Sequence, residues 1–307
     1  MPDQRIVSME VERQSAKVAV AGGELFVWSV RPANHRGGPA VVFVHGKTFP
    51  SVPDFDLQVP GAAETHSYME YLARRGVHCW TFDHRGFGAS WKPPEGSLFT
   101  NRVRARDLLA VIAAVRRSSP APVTLAGLSM GCATIAAALE CDANIAERII
   151  LLGPSGWRRL GSAEARSDWR ASLSSSSRQR SHYASTDFPS LEKRLWVGDE
   201  AWVNRAAFET FVAAAIAANP SGPPDRVTSL ISNIVPTFVG EPKIRVPVLA
   251  VRGSGDTLAS ADDIEAVRRF VPPTLVTTRV FADRKHDLHL YNEREDVFAC
   301  IHDFVKS

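Results

Sequence analysis

The chain has 307 residues, 45% of them hydrophobic, and its 36 basic residues nearly balance 33 acidic ones to leave a formal charge of +3. This length and apolar content allow a large buried core, which excludes a disordered or fibrous protein. Like charges form no block long enough to follow a phosphate backbone, so we expect a small-molecule substrate and no nucleic-acid partner.

The amino-terminal segment and the cysteines indicate an intracellular protein. Residues 1–17 carry charges throughout and lack the apolar stretch of a signal peptide, and no run of about 18 apolar residues occurs. The four cysteines are scattered without a C-x-x-C pair, which predicts neither a disulfide framework nor a zinc site. We therefore expect a cytoplasmic protein without membrane contact, metal or organic cofactor. The sequence carries no signal of its oligomeric state.

Strand and helix patterns alternate through the first half of the chain. An antiparallel pair of strands is predicted over 7–11 and 25–30, on either side of the turn residues Gly22 and Gly23. Strands then follow over 40–44, 77–82, 123–126 and 149–152, and helices over 65–74, 102–117 and 132–139. Apolar strands that alternate with helices predict an α/β fold with a mostly parallel sheet covered on both faces.

This alternation stops near residue 155 and resumes at residue 246. The interval contains a serine-rich stretch at 172–177, an alanine-rich helix over 206–218 and a turn cluster at 219–224, but no clear strand. Beyond it, strands over 246–251 and 275–281 alternate with helices over 262–270 and 293–305. We predict a core domain formed by residues 1–154 and 241–307, with a helical cap inserted at 155–240.

A G-x-S-x-G motif joins the strand at 123–126 to the helix that follows it. This order of strand, serine and helix is the nucleophile elbow, in which Ser129 lies on a tight turn and the next backbone N–H is free at a helix N-terminus. Gly127 and Gly131 stand where a side chain would collide with the neighbouring strand and helix. The motif predicts Ser129 as a nucleophile.

A nucleophilic serine needs a general base, and the base needs a carboxylate that fixes its tautomer. Asp256 and His286 each follow one of the last two strands through a short loop, and such loops converge at the carboxyl edge of a parallel sheet. His289 is an alternative base, although its place beside Leu290 favours packing. Four other aspartates are alternatives to Asp256, namely Asp262, Asp263, Asp283 and Asp287.

Five motifs in order make the chain resemble the α/β-hydrolases with an inserted cap. They are His45-Gly46, residues 83–90, residues 127–131, residues 253–256, and His286 with His289 three residues on. The resemblance implies an α/β-hydrolase fold with Ser129 as nucleophile, His286 as base and then acid, and Asp256 as orienting acid. It also implies an oxyanion hole formed by the backbone N–H groups of Lys47 and Met130.

Aromatic and charged residues near this site bear on the substrate. We expect Phe49 in the loop after His45-Gly46 and Trp157 in the cap to line the pocket, which favours an apolar or aromatic substrate portion. The same side chains can instead form the cores of loop and cap, as can the further candidates Phe55, Leu57, Val59, Trp169, Trp196 and Trp202. Lys47 can meet a substrate carboxylate, unless its side chain points to solvent.

The leading hypothesis is a serine hydrolase that cleaves a carboxylic ester, thioester or lactone through an acyl-enzyme. A second hypothesis is hydrolysis of a carbon–carbon bond next to the ketone of a keto acid, which uses a similar triad and a helical lid. A third is a ligand-binding protein on the same scaffold that has no turnover. The presence of serine, aspartate and histidine together disfavours this last reading.

Overall fold

The computed structural model describes residues 9–35, 37–94, 99–119, 121–162, 203–218 and 243–307, with short pieces at 184–187, 189, 226–229 and 234–235. The strands are β1 Val11–Val20, β2 Gly23–Pro32, β3 Ala40–Val44, β4 His78–Phe82, β5 Phe99–Thr100, β6 Val123–Leu128, β7 Arg148–Leu152, β8 Ala184–Asp187, β9 Arg226–Ser229, β10 Ile234–Val235, β11 Val248–Gly253 and β12 Val276–Phe281. The helices are α1 Ser51–Phe55, α2 Tyr68–Ala73, α3 Asn101–Ser118, α4 Met130–Cys141, α5 Arg205–Ala217, α6 Ala261–Val267 and α7 Arg294–Lys306.

Eight strands form the central sheet in the order β1-β2-β4-β3-β6-β7-β11-β12. Strands β1, β2 and β4 pair antiparallel, and all later neighbours pair parallel, which confirms the predicted α/β architecture. The predicted start of the sheet is wrong, because β1 begins at Val11 rather than at residue 7. β1 is a largely solvent-exposed edge strand. Its many polar residues give no apolar run, so its bounds could not be predicted from the hydrophobic pattern.

Helices cover both faces of this sheet. Alternate residues of β3 point to opposite faces: Val42 packs in the cluster under α3, α4 and α6, whereas Val41 and Phe43 pack in the cluster under α2 and α7. All five residues of β3 are buried, as expected for a parallel strand in the middle of the sheet. The sheet is therefore a rigid platform, and the loops at its carboxyl edge are free to carry the site.

The predicted cap contains short strands as well as a helix. Helix α5 is the helix predicted from the alanine-rich stretch, and Asn204 caps its start by accepting the Ala207 N–H at 3.0 Å. Strands β8 and β9 pair antiparallel, and β10 pairs parallel with β5. The expectation of no clear strand in 155–240 is therefore wrong, because these strands are only two to four residues long and too short to show a pattern. The domain boundaries stay a prediction.

Helix α5 packs against two loops at the carboxyl edge of the sheet, those after β3 and β12. Its Phe208 and Phe211 share a buried cluster with Phe49 from the loop after β3 and with Leu290 from the loop after β12. The Asn204 N–H also donates to the Leu290 carbonyl at 2.9 Å. The helix thus joins both loops. The serine-rich stretch at 172–177, the turn cluster at 219–224 and three cap tryptophans lie outside the described residues: Trp169, Trp196 and Trp202.

In the described part of the chain, no helix has both the length and the hydropathy that crossing a bilayer requires.

Candidate active site

Ser129 lies at the junction of β6 and α4 in a strained backbone conformation. Its φ of 53° and ψ of −115° place a residue other than glycine in a sparsely populated region, and such strain collects at functional sites. The Ser129 N–H donates to the Leu152 carbonyl at the end of β7, 2.8 Å away. Its side chain is partly exposed although the adjoining Leu128 and Met130 are buried. The turn therefore directs one hydroxyl outward from a packed edge.

The two glycines of the motif are required by close contacts, as predicted. A Cβ on Gly131 would lie 2.0 Å from the Val44 carbonyl oxygen at the end of β3. A Cβ on Gly127 would lie 2.7 Å from the backbone nitrogen of Cys132 in α4. Neither contact is sterically possible, so both positions need glycine for the strand and helix to meet at this turn.

His286 and Asp256 form a buried pair at the same edge of the sheet. His286 Nδ1 lies 2.8 Å from Asp256 Oδ2, while Asp256 Oδ1 accepts the backbone N–H groups of Leu258 at 2.8 Å and Ala259 at 2.9 Å. Burial opposes ionisation of Asp256, but the hydrogen bonds from His286 and the two amides outweigh it and lower its pKa. An ionised carboxylate only accepts, so Nδ1 carries the proton and Nε2 is the basic nitrogen.

Gly153 is a residue of the site that the sequence analysis missed. It follows β7 with a φ of +53°, and a Cβ there would lie 2.7 Å from His286 Cε1, 2.8 Å from His286 Nδ1 and 3.2 Å from Asp256 Oδ2. The preceding residue, Leu152, accepts the Ser129 N–H. The end of β7 therefore contacts the elbow on one side and the imidazole on the other, which links all three predicted triad residues.

The loop after β3 runs next to the nucleophile. A Cβ on Gly46 would lie 3.4 Å from the Ser129 Cβ, and the next residue, Lys47, has an exposed side chain. His45 fixes the start of this loop: its Nε2 accepts the His84 N–H at 2.9 Å and its Nδ1 lies 2.9 Å from the Gly46 carbonyl. Burial lowers the pKa of His45 to about 4, so the ring is neutral and Nδ1–H donates to Gly46.

The motif at 83–90 supports the loops of the site through hydrogen bonds. Asp83 Oδ1 accepts the Ser51 N–H and hydroxyl, both at 2.8 Å, and Oδ2 accepts the Ala89 N–H at 2.9 Å. Arg85 forms a two-bond pair with Asp107 of α3, at 2.6 and 2.7 Å. These bonds tie the loops after β3 and β4 to each other and to α3, which is a supporting role.

The alternative triad residues occupy other positions in the fold. His289 is 1% exposed and packs between Tyr68 and Phe211, and burial lowers its pKa to about 3. Asp263 forms a capping box with Ser260 at the start of α6. The remaining aspartates lie in the first turn of α6 or in the loop after β12: Asp262, Asp283 and Asp287. Among the described carboxylates, Asp256 is the one paired with His286.

The predicted pocket residues divide into two groups. Phe49 is buried against Phe211 of α5, with ring centroids 4.6 Å apart, so it lies where the loop after β3 meets the cap. Trp157, in contrast, is fully buried in the core beside α6, with its ring 5.9 Å from that of Phe270. The prediction that Trp157 lines the pocket is corrected here, because the chain after β7 packs against α6. Lys47 and Met130 remain predicted oxyanion donors.

The comparison with known proteins agrees with this arrangement. The model of the Alpha/beta hydrolase family matches residues 41–299. The chain belongs to the alpha/beta hydrolase family. This match spans every motif from the loop after β3 to α7, which confirms the resemblance inferred from the sequence. No curated protein matches the chain in sequence.

Solved structures share the fold of this alpha/beta hydrolase at low sequence identity. A carboxylesterase from Bacillus subtilis is 17% identical with a TM-score of 0.63, over 96% of this chain and 92% of that chain. E-2-(acetamidomethylene)succinate hydrolase is 17% identical with a TM-score of 0.64, over 96% and 100% of the two chains. A serine hydrolase involved in carbazole degradation is 17% identical with a TM-score of 0.64, over 96% and 99%.

Proposed function

We propose that this alpha/beta hydrolase is a serine hydrolase that cleaves a carboxylic ester, thioester or lactone with an apolar or aromatic portion. The observation that carries the proposal is the 2.8 Å His286–Asp256 pair at the end of β7, whose Leu152 carbonyl also holds the strained Ser129. Nucleophile, base and orienting acid come from three different strand ends. Packing alone does not require a strained serine at the same edge of the sheet as an oriented imidazole.

The proposed reaction has two halves. His286 Nε2 removes the proton from the Ser129 hydroxyl as its oxygen attacks the substrate carbonyl carbon, and the N–H groups of Lys47 and Met130 stabilise the oxyanion. The imidazolium then returns this proton to the departing alcohol, thiol or ring oxygen, which leaves an acyl-serine. A water molecule, deprotonated by the same imidazole, attacks the acyl carbon, and the acid product leaves as Ser129 regains its proton.

Two features favour an acyl substrate with an apolar part. A serine at the elbow attacks carbonyl carbon, whereas relatives that open epoxides or displace halide carry aspartate there. Phe49, Phe208 and Phe211 form a buried apolar cluster between the loop after β3 and the cap helix. Partly buried apolar side chains pack against this cluster and leave apolar surface near the predicted oxyanion loop, namely Val59, Val203 and Ile216. The structural neighbours include a carboxylesterase, and this agrees with the proposal.

The test is a panel of chromogenic esters, thioesters and lactones, together with a vinylogous keto acid. We expect turnover of the acyl substrates. A fluorophosphonate should abolish this turnover and attach one label to each chain. Cleavage of the keto acid with little ester turnover would instead support the carbon–carbon hydrolase. Ligand binding without any turnover or labelling would support the non-catalytic scaffold. The Ser129→Ala variant supplies the background rate for every substrate.

Lys47 provides a prediction about charge selectivity. Its side chain is exposed, as also expected if only its backbone matters, and it belongs to the loop that runs next to Ser129. We propose that this cation attracts a substrate carboxylate, although solvent partly screens the interaction. Replacing Lys47 with methionine keeps the backbone N–H and should lower kcat/KM roughly fivefold for an anionic ester but less than twofold for its neutral analogue. Both rates are measured at low and high salt, and equal losses for the two esters would rule out the carboxylate role.

A further inference from the structure

Arg104 is a buried cation beside the nucleophile elbow. It lies on the first turns of α3 and is 1% exposed, whereas Arg102 and Arg106 of the same helix are exposed. Its Nη1 donates a long hydrogen bond, 3.5 Å, to the carbonyl oxygen of Met130, the residue after Ser129. Its guanidinium carbon lies 5.4 Å from the centre of the Phe99 ring. Burial lowers the pKa of Arg104 to about 9, so it stays charged at neutral pH.

The buried carboxylates of α3 and of the loop after β4 are bound to other groups. Asp83 accepts three hydrogen bonds from Ser51 and Ala89, and Asp107 is paired with Arg85. Among the described residues no carboxylate forms an ion pair with Arg104, and its Nε is buried without a hydrogen-bond partner. A buried cation without a carboxylate is destabilising, so a sequence that merely had to fold would favour leucine or methionine at this position.

Arg104 lies between two residues that hold the predicted oxyanion donors in place. On one side it contacts Met130, whose N–H is one predicted donor. On the other side, the burial of the ring and the positive charge of Arg104 both lower the pKa of His45, which keeps the imidazole neutral. Neutral His45 donates to the Gly46 carbonyl, directly before the second predicted donor, Lys47. A fixed charge in an apolar setting acts over several ångströms, because little solvent intervenes to screen it.

We propose that Arg104 is a positioning residue for the oxyanion hole: it holds the first turn of α4 and adds positive potential where negative charge develops on the substrate carbonyl. This inference rests on the proposed acyl-transfer function. The potential is present before the reaction begins and stabilises the transition state more than the neutral ground state. Loss of the Arg104 charge should therefore lower kcat rather than raise KM.

The experiment compares Arg104→Met, Arg104→Lys and the exposed control Arg106→Met on one neutral ester. We expect Arg104→Met to lower kcat about tenfold with KM within twofold, and to weaken inhibition by an aryl trifluoromethyl ketone, a transition-state mimic, by the same factor. Arg104→Lys should recover part of kcat, because it restores the charge. Arg106→Met should match the wild type.

Thermal unfolding separates this role from packing. Because methionine removes an uncompensated buried charge, the melting temperature of Arg104→Met should equal or exceed that of the wild type while kcat falls. The proposal is overturned by a kcat within twofold of the wild type, or by a lowered melting temperature with no recovery in Arg104→Lys. A loss confined to anionic esters also overturns it and makes Arg104 a ligand of a substrate carboxylate. Absence of acyl turnover in the wild type would reject the proposed function itself.

Discussion

Replacing Ser129 with alanine is expected to lower kcat/KM by roughly 10⁴- to 10⁶-fold for every substrate that the wild type hydrolyses. Without the hydroxyl no acyl-enzyme forms, and the remaining rate comes from binding and oxyanion stabilisation alone. The fold should persist, because the Ser129 N–H that bonds to Leu152 is retained. Alanine at a φ of 53° keeps the strain of the elbow, so the melting temperature should stay within a few degrees.

A double variant, Ser129→Ala with His286→Ala, tests whether the two residues act together. Nucleophile and base act as one unit, so their losses should not multiply. We expect the His286→Ala variant and the double variant to lose about as much activity as Ser129→Ala does. The measurement is kcat/KM for the three variants on one ester, together with the rate of fluorophosphonate labelling. Multiplicative losses, or labelling that persists in Ser129→Ala, would place the nucleophile at another residue.

The elbow and the positions of the strands along the chain could be predicted because both are local signals. Ser129 lies between an apolar run and a helix-forming run. Gly127 is required by a contact within this strand–turn–helix unit, whereas Gly131 is required by a contact with the neighbouring strand β3. The His286–Asp256 pair could be predicted at the level of loops, since both follow strands of a parallel sheet. Trp157 was misplaced because an apolar aromatic residue after a strand fits a cap and a core equally well.

Two residues were missed for different physical reasons. Arg104 does carry a sequence signal: it lies four and seven residues before Leu108 and Val111, on the buried stripe of α3. A single charge on such a stripe does not by itself indicate a functional role. Gly153 carries no sequence signal, because the atoms that crowd it belong to residues more than 100 positions later in the chain. Only the folded sheet brings the end of β7 against the imidazole.

Gly153 provides the second prediction with a large effect. We expect Gly153→Ala to lower kcat/KM about 100-fold, because its Cβ would lie 2.7 Å from His286 Cε1 and 3.2 Å from Asp256 Oδ2. The imidazole must then rotate or move, and either change disturbs the 2.8 Å bond that orients it. The rate of fluorophosphonate labelling should fall with kcat/KM, since both report how well His286 activates Ser129.

Gly156 is a matched control three residues further along the chain. Its φ of +80° is also in the left-handed region, yet a Cβ there meets no atom within 4 Å. Gly156→Ala therefore introduces the same kind of backbone strain, about 1 kcal/mol, without touching the triad. Both variants should melt a few degrees below the wild type, while only Gly153→Ala loses activity. If the two variants keep similar activity, the end of β7 does not position the imidazole, and the space beside it has no role in catalysis.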